Sequence, residues 1–491
     1  LPDEDQGALM AEVQLPDASS TNRTLKSIEE VEQVIAGRPW MQSMFTVSGY
    51  SLLDGLNLPN RGLVVVELKP FAERKDRTLS VFHALKEVNQ AFAQIASANV
   101  FAFNLPPIMG LGNSSGFEFV VQSLAGAPPA DLAAVARGMM VSAQEVPEVA
   151  NVFTTYAATT PQINLKLDRE RAQALGVTIS DIFSAMQTTL GGTYTNDFNL
   201  FGRVWQVKVQ ADAPDRGNVN DVFRVRVRSA NGELVPLQAV ANIELVTAPS
   251  SIVRYNNLRS VVLNGAPAPG YSSGQAIAAM ERLARSTLPS GYGFEWTGTA
   301  LQEKAASGQT GFILALAVLF AYLFLVGLYE STAIPIAALL SVVVGLFGAM
   351  LALYLSGLDN NIFAQIGIVV LIALAAKNAI LIIEFAMEER AHGKDVVTAA
   401  TTAAGLRFRA VMMTSFAFIL GLVPLVIASG AGAATQRAVG TAVFGGMIAA
   451  SMLGIFVIPG LYVAFQTFRE KVKGIGKRPA TVQYKVVDPA P

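Results

Sequence analysis

The chain has 491 residues, 52% of them hydrophobic and only 15% charged, and a net charge of −1. Soluble proteins carry about 25% charged residues, so the composition argues against a wholly water-facing protein, and a net charge this small offers no field for a nucleic acid. With no cysteine and only His83 and His392 as histidines, a disulfide framework, a thiolate nucleophile and the usual zinc ligand sets are excluded.

The charges are unevenly spread. Residues 1–304 hold 53 of them, whereas residues 305–468 hold 12 in 164 positions, which implies water around the front of the chain and lipid around the back. In the front part, Gly62–Lys69 (GLVVVELK) and Phe117–Gln122 (FEFVVQ) read as strands. Between them Ser80–Ala98 has helical spacing, with Val81, Leu85, Val88 and Phe92 on one face. Ile163–Asp168 (INLKLD) is a further strand, followed by a helix near Arg169–Leu175. Within Val225–Leu237, Asn231-Gly232 lies between alternating apolar runs, a hairpin signal. Breaks fall at Pro106-Pro107, at Pro128-Pro129 and near Pro161. Repeating strand–helix–strand units predict α+β subdomains of ferredoxin-like type.

The back part holds five uncharged stretches: Gln309–Tyr329, Ser331–Leu358, Asn360–Ala376, Ala410–Gln436 and Ala438–Phe468. Roughly 20 apolar residues span a bilayer, so five transmembrane helices are predicted, the third reaching full length by continuing through Lys377 to about Ala386. Arg390, Lys394, Arg407 and Arg409 flank one loop, and Arg469, Lys471, Lys473, Lys477 and Arg478 follow the last span. The positive-inside rule makes both segments cytoplasmic and, counting back through five spans, places residues 1–304 on the opposite side. No signal peptide is visible to carry them there, so the expectation is the C-terminal part of a longer protein.

Lys377 lies deep in the third span. A cation at such a depth costs at least ~2.5–3.5 kcal/mol and is expected to face a polar interior and a partner. Glu384, seven residues on, is about 10 Å away along the axis, too far for a direct pair. The lysine therefore either snorkels or belongs to a proton or ion relay whose acid lies elsewhere. Arg407 and Arg409 open the fourth span and serve topology on the simplest reading. Thr414, one to two turns further in, either joins a relay or bonds its own helix. In the front part, Phe45, Tyr50, Phe101 and Phe103 form aromatic clusters, and Phe101 and Phe103 share one face of a strand. They fill a core or line an apolar pocket. Gly49–Arg61 (GYSLLDGLNLPNR) has the glycines and leucines of a mobile flap, and Gly445-Gly446 suits close helix packing. Pro335, Pro424 and Pro459 are expected to kink or end helices.

Several of these segments resemble one family. Leu1–Gly7 (LPDEDQG), Val100–Pro106 (VFAFNLP), Ala174–Val177 (ALGV), Tyr329–Pro335 (YESTAIP), Ala376–Phe385 (AKNAILIIEF) and Met413-Thr414-Ser415 are similar, in order and spacing, to the C-terminal half of RND multidrug transporters. The group is the hydrophobe/amphiphile efflux family, AcrB/MexB-like. The resemblance implies α+β periplasmic ferredoxin-like subdomains followed by an all-α bundle of five transmembrane helices. It implies a first porter subdomain at 1–109, a second at 110–160 with 249–304, a docking subdomain at 161–248, helices at 305–468 and a cytoplasmic tail at 469–491. It further implies a homotrimer in a Gram-negative inner membrane, with residues 1–304 in the periplasm. That trimer would be driven by the proton motive force without cofactor or metal, and would work with a periplasmic adaptor protein and an outer-membrane channel. Its cargo would be drugs and other amphiphilic small molecules.

Residue by residue, Lys377, Arg407 and Thr414 match the family's proton relay, whose aspartates lie on a helix outside this sequence. Phe45 and Tyr50 match a deep substrate pocket, Leu52 a neighbouring flap aromatic, and Phe101 and Phe103 an entrance pocket. Leu52 and Val65 stand where the family has phenylalanines, Gly110 where it has an acid and Phe153 where it has a pocket arginine. Rival readings are a relative that exports metal ions or lipids and a membrane-anchored periplasmic binding or scaffold protein. No nucleophile–base or metal constellation favours an enzyme.

Overall fold

A computed structural model of the chain describes residues 2–108 and 110–472. The chain divides into two compact units. One comprises residues up to Ala127, Ala134–Thr155 and the chain from Val253 on; the other comprises Pro128–Ala133 and Tyr156–Ile252.

The first unit opens with β1 (Ala8–Gln14), α1 (Thr21–Ile35), β2 (Met41–Ser51), β3 (Leu56–Leu68), α2 (Val81–Phe92) and β4 (Asn99–Asn104). The four strands form an antiparallel sheet in the order β2-β3-β1-β4. Alternation along β1 sets the layering. Leu9, Ala11 and Val13 point into a core shared with Val64 and Val66 of β3, Ile28 and Val31 of α1, and Val88 and Phe92 of α2. Both helices start where a serine caps them: Ser20 accepts from the Arg23 N–H and Ser80 from the His83 N–H. The helix expected over residues 80–98 ends early, at Phe92, because the chain turns there to bring β4 against β1.

Next come β5 (Phe117–Ser123), α3 (Pro129–Ala143) and β6 (Val149–Phe153). The second unit then holds β7 (Thr160–Leu167), α4 (Arg169–Ala174), α5 (Ile179–Met186), β8 (Thr193–Leu200), β9 (Arg203–Val209), β10 (Arg226–Arg228), β11 (Leu234–Pro236) and β12 (Ala241–Ala248). Its strands pair as three antiparallel couples, β7 with β12, β8 with β9 and β10 with β11. The Asn231-Gly232 signal does mark a hairpin, with Arg228 opposite Leu234 and Gly232 at φ +86°. Back in the first unit, β13 (Val253–Tyr255), β14 (Leu258–Pro267), α6 (Ser273–Thr287) and β15 (Tyr292–Thr297) follow. There β5 lies between β14 and β15 in a five-stranded sheet whose other members are β13 and β6.

The helical region consists of α7 (Gly298–Tyr329), α8 (Ile334–Leu355), α9 (Ile362–Ala391), α10 (Val396–Val426), α11 (Ala433–Met452) and α12 (Gly454–Val472). Among the described residues, Gly311–Tyr329 and the whole of α8, α9 and α10 are long and apolar enough to cross a membrane. The fifth expected span, 438–468, is not one straight helix. It comprises α11 and α12, bent by 60° at their junction, which make a fifth span only if counted together. Gly454, a poor helix former, follows the break. The fourth expected span also differs: α10 begins at Val396, where Asp395 accepts from the Thr398 N–H. Arg407 and Arg409 therefore lie three turns inside a helix instead of opening one, since the polar but helix-competent run 396–406 extends it beyond the apolar stretch. Lys473, Lys477 and Arg478 of the expected tail fall outside the described residues.

Helices α8 and α11 approach so closely that a Cβ on Gly445 would lie 2.1 Å from the Cβ of Ala352. The Gly445-Gly446 pair thus acts in packing, as small residues do between membrane helices. Pro335 sits in the first turn of α8, while Pro424 and Pro459 lie within α10 and α12.

Candidate functional site

The sequence-predicted residues fall into two groups. The first lies on the four-stranded sheet, on the face turned away from α1 and α2. Residues directly opposite in paired strands share a face, and the register yields two rows across it. One runs Phe45–Val65–Met10–Phe103, the other Val47–Leu63–Glu12–Phe101. The structure therefore brings Phe45, Phe101 and Phe103 onto one surface. Phe45 is open, at 61% exposure, whereas Phe103 is buried. The Phe101 ring lies 6.4 Å from that of Phe103 and 4.5 Å from that of Phe153. Phe153 fills this space with an aromatic ring, at the position where an arginine was the family expectation. Tyr50 and Leu52 are set apart by an irregularity in pairing between Ser48 and Tyr50, after which the chain turns from β2 into β3.

Beneath that turn lies a group of charges. Glu12 is fully buried, and neither of its carboxylate oxygens has a hydrogen-bond partner among the described residues. Burial is the largest influence on it and pushes its pKa up to about 7. The Ser51 hydroxyl, the Arg61 charge and the Leu52 N–H hold the rise back, and Asp54 adds to it. Arg61 is buried as well. Its Nη2 donates to the Thr155 carbonyl at 2.8 Å and lies 3.7 Å from Asp54 Oδ2, while Nε and Nη1 have no hydrogen-bond partner among the described residues. Thr155 Oγ1 donates to Asp54 Oδ1 at 2.5 Å, and Asn113 Nδ2 to the Leu53 carbonyl at 3.1 Å. The turn is thereby tied to the segments that bear Asn113 and Thr155.

The second group lies on α9 and α10. Lys377 occupies the exposed side of α9. A relay acid is expected outside this sequence, and Lys377 makes no ion pair among the described residues. Its Nζ lies 5.2 Å from the centre of the Phe418 ring of α10. The inward side of α9 is taken by Ala375, Ala376, Asn378 and Ala379, all buried, which leaves the lysine the outer side. Arg407 stacks on the Phe385 ring at 3.4 Å, and its buried Nε has no hydrogen-bond partner among the described residues. Thr414 donates to the Val411 carbonyl of its own helix at 3.1 Å, the bond typical of a membrane threonine. Next to Lys377, Asn378 Nδ2 donates to Ser415 Oγ at 3.3 Å and Ser451 Oγ at 3.4 Å, joining α9, α10 and α11 in a buried polar knot. From these contacts Thr414 is nearly level with Lys377, and Arg407 lies two turns further along, roughly 10 Å.

One more arrangement links the sheets to the helices. Four consecutive residues before β1 each hold a different element. Asp3 accepts from Ser115 Oγ. Glu4 accepts from the N–H groups of Ala434 and Thr435 and from Thr435 Oγ1, at 3.2, 2.7 and 2.7 Å, at the N-terminus of α11. Asp5 accepts from both terminal nitrogens of Arg74 and from the Val81 N–H that starts α2. Gln6 Nε2 donates to the Pro106 carbonyl at 2.6 Å. Burial alone would raise Asp5, but its bonds to Arg74, Val81 and Gly7 together hold it below the usual carboxylate range.

Residues 1–466 match the model of the AcrB/AcrD/AcrF family. The chain belongs to that family. Relatives within the range of this match include the toluene efflux pump membrane transporter TtgB of Pseudomonas putida, 41% identical over 94% of this chain and 44% of its own length. The multidrug export protein AcrF of Escherichia coli is 40% identical over 95% of this chain and 45% of its own, and the multidrug resistance protein MdtF of Escherichia coli 37% over the same shares. The chain thus spans about half the length of the curated relatives it matches.

Family membership and the resemblance both left Glu12, Arg61 and Glu4 unassigned. In the run Ala8–Gln14 (ALMAEVQ) the glutamate alternates with core residues and reads as solvent-facing. It is buried because segments far away in the chain, around Leu52 and Phe153, close over that face. The one available signal was a carboxylate amid apolar residues in a strand followed by two partners that are also apolar there.

Proposed function

We propose that this chain is the C-terminal half of a proton-driven efflux subunit of the inner membrane, exporting amphiphilic compounds through a tripartite assembly. The observation that carries the reading is Lys377: a cation on the outer side of an apolar helix, with an aromatic ring beside it and no ion pair among the described residues. Such a residue requires a partner, and helices from outside these 491 residues would bring it the acid. Lys377 would pair with ionised carboxylates and lose them on protonation, tilting the helices that carry the soluble units. Thr414, at the same level, and Arg407, toward the α9–α10 loop, would complete the path.

The front part then serves as porter. We read its β-α-β-β-α-β region as a ferredoxin-like unit, a reading supported by the antiparallel order β2-β3-β1-β4. The aromatic rows through Phe45, Phe101 and Phe103, with Tyr50 and Leu52 at their edge, would receive the cargo. A homotrimer, a periplasmic adaptor and an outer-membrane channel complete the proposal, with residues 1–304 in the periplasm.

The test is Lys377→Ala in the full-length protein. Export should fall to background while trimer formation and ligand binding persist. Export at the wild-type level would eliminate the relay and leave a membrane-anchored binding or scaffold protein as the better reading.

A further inference from the structure

The face that carries the aromatic rows also carries a charge imbalance. Two acids, Glu12 and Asp54, and one base, Arg61, meet under the β2–β3 turn. Arg61 leans toward Asp54, at 3.7 Å, and bonds the Thr155 carbonyl. Glu12 has no such partner among the described residues. The register shows why: Gln14 stands opposite Arg61, and Leu63 and Phe101 flank Glu12. Glutamate and arginine are therefore diagonal neighbours, about 7–8 Å apart at the backbone, close enough to feel each other's charge but set apart from a direct ion pair. The Ser51 hydroxyl and the Leu52 N–H come near enough to the carboxylate to oppose the effect of burial, yet neither completes a hydrogen bond to it.

A buried carboxylate without a completed hydrogen bond costs stability, and an apolar residue would pack in this row without that cost. We propose that Glu12 is the residue by which the aromatic face selects charge. It receives the ammonium group of a cationic amphiphile while Phe101, Phe103 and Phe153 take the apolar body. The inference rests on the efflux reading and narrows its cargo to cations. One monocation brings the group of two acids and one base to neutrality, which a neutral or anionic ligand does not do. Access requires the β2–β3 turn to lift, and the turn is built for that. Gly49 and Gly55 bracket it, both at positive φ and both with open space where a Cβ would stand. It is held down by the Thr155–Asp54 and Asn113–Leu53 hydrogen bonds. With the turn raised, ionised Glu12 offers two acceptors to an N⁺–H donor. With it lowered and no cation present, the carboxyl sits neutral among apolar side chains.

The test compares dodecylammonium with dodecanol, probes of equal chain length that differ in charge, in equilibrium binding to the full-length protein and in export from cells. Glu12→Gln should weaken dodecylammonium binding about tenfold to a hundredfold at pH 8, the range for a lost charge-assisted bond. Dodecanol binding should stay within about twofold. Wild-type affinity for the cation should rise as pH passes through about 7, and the variant's should not. Equal weakening of both probes would make Glu12 a packing residue or one half of a water-bridged pair with Arg61, and the proposal would fall. Unchanged cation binding would also overturn it. Glu12→Asp keeps the charge and should keep the preference, so if the glutamine variant does not fold, loss of preference in the aspartate variant decides against the proposal. A wild-type protein that binds and exports neither probe would instead remove the efflux reading on which the inference rests.

Discussion

Glu12→Gln also makes a prediction about stability that is independent of any ligand. The carboxyl of Glu12 has its pKa raised by burial from 4.5 to about 7. An acid whose folded-state pKa is raised holds its proton longer in the native state than in the unfolded one. The stability it contributes is complete below about 4.5 and is lost as pH rises to about 7. Each pH unit across that window is worth about 1.4 kcal/mol, so the full loss is about 3 kcal/mol. Glutamine cannot ionise and carries none of this dependence. Its own buried amide has a fixed cost, so the pH dependence of the difference between the two proteins is the informative quantity. We would follow deuterium uptake in the peptide covering β1, in full-length wild type and variant, from pH 4.5 to 8.5. Intrinsic exchange rates cancel in the ratio, as do the titrations of all other groups. Protection of the variant relative to wild type should grow by a factor of about 100–300 between pH 4.5 and 7 and then level off. A ratio that stays constant would mean that Glu12 is ionised throughout, held by Arg61 or by water, and the argument from its unpartnered oxygens would be refuted.

Three further substitutions probe the frame around the site. Gly445→Val places side-chain atoms where even a Cβ lies 2.1 Å from Ala352; α8 and α11 must separate, and the thermal midpoint of the purified protein should drop by an amount matching about 1–3 kcal/mol. An unchanged midpoint would show that the two helices do not pack as described. Asp5→Asn removes a carboxylate held below its ordinary pKa by Arg74 and two backbone N–H groups. Its stabilisation is present above the unfolded pKa of about 4 and is lost as pH falls through the lower folded value, so the variant should be weaker at pH 7 and converge on wild type in acid; a gap independent of pH would contradict this. Glu4→Ala strips three acceptor contacts from the first turn of α11 and should increase deuterium uptake at Ala433–Gln436 several-fold, while uptake in β14 stays at the wild-type level.

Much of the architecture was legible because it rests on local periodicity. The apolar face of α2, the capping serine before it, the Asn231-Gly232 turn and the long uncharged runs each announce themselves within a dozen residues. What escaped were consequences of contact between distant segments. The run 396–406 is too polar to read as part of a membrane helix, which puts Arg407 at a helix start in the sequence; its stacking on Phe385 depends on where α9 ends up, which no window on α10 contains. Lys377 stands out in the sequence as a cation within an apolar run, yet which side of α9 it takes depends on Asn378 claiming the inside through Ser415 and Ser451. The same reasoning separates Glu12 from Lys377. A cation in an apolar stretch stands out from its immediate neighbours, because one charge among twenty apolar residues breaks the composition. A glutamate that alternates with leucine and valine in a strand conforms to the pattern of a half-exposed sheet and only becomes an anomaly once Phe153, 141 positions later, closes over its row. Charges that obey the local pattern but end up buried are those for which folding has overridden a favourable alternative, and at 3 kcal/mol or so that override is large beside the 5–15 kcal/mol that holds a typical domain together. A chain that keeps such a charge where leucine would pack is keeping it for something the folded state alone does not require, which is the ground for assigning Glu12 to the cargo and not to the core.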